Sequence, residues 1–70
     1  MDKQTLVRDI KRSTNNSGFI NQTQLAKYLR VSKDVARGML EGLDYLPTGR
    51  ERKYFIEDVA SQIMRKRKLS

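Results

Sequence analysis

The spacing of apolar residues changes near Gly42, and that change restricts the chain more than any other feature. Through residue 43 apolar side chains recur with helical period. Over 44–56 they give way to two short runs, Asp44 to Thr48 and Arg52 to Ile56, rich in aromatic and β-branched residues, with Gly49-Arg50-Glu51 between them. Helical spacing then returns. A 70-residue chain has room for one domain and one small core. The pattern therefore predicts a mainly α domain with a single small β-hairpin.

Four helical segments follow from local signals. Residues 1–13 form the first, with Asp2 at its start and Leu6, Val7 and Ile10 on one stripe. The cluster Ser13-Thr14-Asn15-Asn16-Ser17-Gly18 closes it, and Phe19-Ile20 is a short extended stub. In the second, Asn21 and Gln24 have capping-box spacing, and Leu25, Ala26, Tyr28 and Leu29 form the inner face. After Arg30-Val31, Ser32 caps a third helix, whose Ala36, Met39, Leu40 and Leu43 face inward. Lys33, Asp34, Arg37, Gly38 and Glu41 are left outside, and Gly42 ends this helix. The last segment, 57–68, has Glu57-Asp58 as its cap, Val59, Ala60, Ile63 and Met64 inside, and the basic end Arg65-Lys66-Arg67-Lys68. Pro47 lacks a donor for a central ladder, so its strand is expected at an edge, in a two-stranded hairpin standing off the body.

The span 21–42 has the parts of a helix-turn-helix: small Ala26 inside the first helix, Leu29 and Val31 flanking the turn, Ser32 as the second cap, then Ala36 and Met39. Leu25-Ala26-Lys27-Tyr28-Leu29, Val31-Ser32-Lys33, Gly49-Arg50 and Tyr54-Phe55-Ile56-Glu57-Asp58-Val59 together resemble the excisionase-like and MerR-type small winged helix-turn-helix DNA-binding domains. The resemblance spans roughly residues 19–64. It departs at Arg30, where the family's turn has glycine, and at Gln24, where its first helix has glutamate. It implies a winged helix that binds double-stranded DNA, monomeric in solution and cooperative on DNA, with a tyrosine integrase as its protein partner. A small transcriptional regulator would use the same motif. An adaptor in a replication or conjugation complex is the alternative from another class.

Charge agrees with a polyanion partner. The chain carries 15 Lys and Arg against 8 Asp and Glu, a net +7, spread along its length and not gathered in a tail. The DNA-contacting residues that the resemblance implies, with this charge in support, are Arg30, Ser32, Lys33, Asp34, Arg37 and Gly38 around the third helix, and Arg50, Arg52 and Lys53 in the hairpin. Arg37 is the best candidate for a guanine, because its planar fork matches O6 and N7. Gly38 is costly inside a helix, which is consistent with close approach to DNA, with a tight fit to a neighbouring helix, or with simple tolerance. The basic end suits either the helix dipole or an arm along DNA. Tyr28, Tyr45, Tyr54, Phe19 and Phe55 fall at core and hairpin spacings better than on a stacking platform for single strands.

Other classes lack their residues. The chain has no cysteine and no histidine, so disulfides, thiol chemistry and the usual zinc sites have no ligands. No nucleophile sits beside a base and no glycine-rich phosphate loop occurs, so neither an enzyme nor a cofactor or metal site is expected. Without a signal peptide or a membrane-length apolar stretch, the expected location is the cytoplasm.

Overall fold

A computed structural model describes residues 2–66. Four helices, α1 (Lys3–Ser13), α2 (Gln22–Leu29), α3 (Lys33–Leu40) and α4 (Ile56–Lys66), surround one core. Three strands, β1 (Phe19–Ile20), β2 (Tyr45–Thr48) and β3 (Glu51–Phe55), form an antiparallel sheet in the order β1-β3-β2. The protein is thus mainly helical with a small antiparallel sheet. Met1 and the Arg67-Lys68 part of the expected basic end lie outside the described residues.

The helix starts follow from their caps. The Asp2 carboxylate accepts from the Thr5 N–H at 2.8 Å, which holds its pKa below the usual aspartate value. Asn21 accepts from the Gln24 N–H at 2.7 Å while the Gln24 side chain accepts from the Asn21 N–H at 3.0 Å, completing the expected capping box. Ser32 Oγ accepts from the Val35 N–H at 3.2 Å. Between α2 and α3 the chain reverses at Arg30, which takes the left-handed conformation (φ 58, ψ 47). The Val31 N–H then donates to the Ala26 carbonyl at 3.0 Å, the long bond of a Schellman closure. Arginine here accepts strain that glycine would avoid.

The hairpin is not a two-stranded unit standing off the body. β1 pairs with the inner edge of β3, Phe19 opposite Phe55 and Ile20 opposite Tyr54. The Ile56 N–H continues this contact to the Gly18 carbonyl at 3.0 Å. That bond occupies the first donor of α4, so the helix starts at Ile56, one residue before the expected boundary. Glu57 and Asp58 occupy its first turn, where their charge favours the dipole, and not the cap. β2 is an edge strand, as Pro47 requires, and β1 is the other edge. Its register of Thr48 opposite Glu51 leaves Gly49-Arg50 as a two-residue loop, shorter than the expected tip. Gly49 has φ 62, a value that suits glycine at the first position of such a loop.

The core draws on every helix and on the inner strands. Leu6, Val7 and Ile10 of α1 meet Ile20, Leu25, Ala26, Ala36, Leu40, Tyr54, Ile56, Val59 and Ala60. Ile10, Ile20, Leu25, Ile56 and Val59 are fully buried. Tyr28, Leu29, Met39, Leu43, Ile63 and Met64, expected inside, pack at its margin with Val31. Tyr28 also donates its hydroxyl to Asp9, linking α2 to α1. Burial, and secondarily this hydrogen bond and the Asp9 charge, push its pKa up to about 12.

Candidate functional site

Exposed cations of α3 and of the β2–β3 hairpin face one another across a groove. This groove, of about 540 Å³, is lined by Lys33 and Arg37 from α3, Arg50, Glu51, Arg52 and Tyr54 from the hairpin, and Asn21, Gln22 and Thr23 from the start of α2. Lys33 and Arg37 are one helical turn apart, so both reach the same wall. Four cations face one carboxylate there, and an open, wide cleft with this balance attracts anions.

Local structure holds the groove in shape. The Gln22 side-chain amide donates to the Lys33 carbonyl at 2.9 Å and ties the first turn of α2 to that of α3. On the hairpin, the Arg52 guanidinium lies over the Tyr45 ring at 4.6 Å, and Tyr45 packs on Tyr54 with ring centroids 5.6 Å apart. Such a stack contributes about 0.5–1 kcal/mol at an exposed site. It uses the face of the guanidinium and leaves its N–H edge available to an acceptor.

The expected residues do not all converge. Lys33, Arg37, Arg50 and Arg52 share the groove. Lys53 does not, since it alternates with Arg52 and Tyr54 along β3, and Glu51, at the end of the strand beside the loop, reaches both sides. It lines an adjoining recess of about 120 Å³ with Ser17, Phe19 and Gln24, which meets the groove at Asn21 and Glu51. Ser32 is exposed, with its oxygen engaged as the α3 cap. Asp34 is exposed in the first turn of α3, and Arg30 is exposed at the turn before it. Gly38 is half-buried on α3, and a side-chain carbon added there would meet nothing within 4 Å. A tight fit against a neighbouring helix is therefore not its reason. Its carbonyl accepts from Lys66 Nζ at 3.5 Å, which brings the end of α4 beside α3.

Asn21, Gln22, Thr23, Glu51 and Tyr54 belong to the groove but were not anticipated as site residues. The polar run Asn21-Gln22-Thr23 reads first as a cap, and its second role becomes visible only once α2 is placed against the hairpin. Among the described residues no group of histidine, cysteine or carboxylate side chains could hold a metal ion. No helix among them is long and apolar enough to cross a membrane. Comparison with known protein families, characterised proteins and solved structures gives no match to this chain.

Proposed function

We propose that this protein binds duplex DNA through a winged helix-turn-helix. In this reading α2 and α3 form the motif, α3 enters the major groove and β2–β3 is the wing. The observation that carries the proposal is the groove in which Lys33 and Arg37 of α3 stand opposite Arg50 and Arg52 of the hairpin. A phosphate backbone passing between helix and hairpin would meet cations on both sides. The net charge of +7 supplies the long-range attraction. Arg37 reads a base edge, Arg50 and Arg52 hold backbone, and Arg30 and Lys33 add phosphate contacts. The resemblance in residues 19–64 extends the proposal to an excisionase-like protein that positions or bends DNA beside a tyrosine integrase.

Titration of a labelled random duplex at two salt concentrations tests DNA binding itself. Non-specific affinity of about 10⁻⁴–10⁻⁶ M at physiological salt, falling steeply as salt rises, is expected. Absence of binding at low salt overturns the proposal and leaves an adaptor role. On a site selected by the protein from a random pool, Arg37→Ala should cost about 1–3 kcal/mol and leave random-duplex binding nearly unchanged. Equal loss on both duplexes would make Arg37 a phosphate contact.

A further inference from the structure

Val35 is the most exposed large apolar side chain among the described residues, at 52%. Tyr45, Leu46 and Phe55, which follow it, all belong to the hairpin. Tyr45 is covered by Arg52, and Phe55 packs on Phe19 with centroids 5.0 Å apart. Val35 stands alone on a helix, outside the core and outside the partly buried side chains around it.

A single exposed valine is ordinary on a protein surface, so its neighbours decide its meaning. At about 100° per residue, Arg37, Asp34, Gly38 and Val35 follow one another across the outer side of α3. That surface runs from a cation past a carboxylate and a bare backbone to a methyl pair. Gly38 adds no side chain between the two flanks, which stand about 160° apart, so the walls of a concave groove can close on both, with Lys66 Nζ near the Gly38 carbonyl as a further cation. The position of Val35 is also fixed. Its N–H is held by the Ser32 hydroxyl at 3.2 Å, and a β-branched residue in a helix has one strongly preferred χ1. Its methyl groups are presented with little side-chain freedom left to lose on binding.

We propose that Val35 is a specificity-determining residue that packs on the C5 methyl of a thymine in the major groove. The inference rests on the duplex-binding reading above and adds to it an apolar, base-specific contact. The major-groove edge of thymine is the one that offers a methyl group, and small apolar side chains are its natural partners. The basic flank of α3 supplies the reason for this surface to lie against DNA at all.

The experiment uses the full chain and a duplex enriched by it from a random pool. Each thymine is replaced in turn by deoxyuridine, which removes only the methyl, and affinity is measured for wild type and Val35→Ala. One replacement should weaken the wild type about three- to fourfold, the value of one buried methyl group. Val35→Ala should bind the thymine and uracil duplexes equally and melt as the wild type does. The proposal is overturned if no single replacement affects the wild type, or if Val35→Ala keeps the same sensitivity. Failure of the wild type to enrich any duplex is a different result, and it removes the DNA-binding reading together with this contact.

Discussion

The side-chain amide of Gln22 donates to the backbone carbonyl of Lys33 over 2.9 Å, so the opening turns of α2 and α3 are fastened directly to each other. Both turns line the groove that faces the hairpin. The bond therefore sets where Lys33 and Arg37 stand relative to Arg50 and Arg52. Gln22→Ala should cost about 0.5–1 kcal/mol of stability, the low end for an exposed neutral hydrogen bond. Its larger effect should be on duplex affinity, measured at a temperature where the variant is fully folded. A variant that loses stability but binds as the wild type does would make the bond purely structural.

Arg30 supplies a second test, because strain and function pull apart there. A left-handed arginine costs about 1–2 kcal/mol. Glycine removes that cost but adds about 0.5–1 kcal/mol of unfolded-state freedom. Arg30→Gly should therefore stabilise the protein by up to about 1.5 kcal/mol, a rise in Tm of several degrees for a domain of this size. It should also flatten the salt dependence of DNA binding by about one unit if the side chain holds a phosphate. An unchanged slope with a higher Tm would leave Arg30 no role on DNA.

Much of this arrangement was legible in the residues, and the misses have physical causes. Caps at Asp2, Asn21 and Ser32 are local, since each bond closes within three residues, and the sequence displays them. The β1–β3 pairing is not local. A two-residue strand such as Phe19-Ile20 is too short to show an alternation, and its partner lies beyond α2, α3 and β2 in the chain. The early start of α4 was hidden for the same reason, because Ile56 donates to Gly18 and not to a neighbouring cap. Lys53 is different, since a period of two already separates it from Arg52. Gathering hairpin cations by proximity in sequence ignored that alternation. The groove residues Asn21, Gln22 and Thr23 needed the tertiary structure.

Alkaline pH should expose the α1–α2 link. The Tyr28 pKa is raised from its ordinary 10.0 to about 12. A raised folded-state pKa contributes stability that is fully present below the unfolded value and is lost as pH climbs through the folded value. The contribution of Tyr28 should thus be intact below about pH 10 and disappear between about pH 10 and pH 12. Tyr28→Phe lacks the hydroxyl and should be less stable than wild type at pH 8, with the gap closing across that window. Urea midpoints of both proteins at a series of pH values provide the check, and lysine titration common to both cancels in the difference. Parallel curves would mean that neither burial nor the Asp9 hydrogen bond raises the Tyr28 pKa on folding.

The geometry of the hairpin makes the sharpest prediction, because it divides three neighbouring cations into two groups. Arg50 and Arg52 line the groove opposite α3, whereas Lys53 lines only the adjoining recess, which meets the groove at Asn21 and Glu51. Each phosphate contact contributes a slope near −0.9 in log K against log salt. Arg50→Gln with Arg52→Gln should therefore flatten the slope by about one to two units, and Lys53→Gln should leave it unchanged. Folding should be little affected, since all three side chains are exposed, although losing the Arg52–Tyr45 stack removes about 0.5–1 kcal/mol. If an arginine instead enters a narrow minor groove, the loss should be larger on A/T-rich flanks than on G/C-rich ones. The end of α4 is the internal control, because Lys66 reaches the Gly38 carbonyl and so stands beside the same helix. Should Arg65→Gln with Lys66→Gln remove the salt dependence while the Arg50, Arg52 pair leaves it intact, DNA would run along α3 and α4. The hairpin would then have no part in holding it.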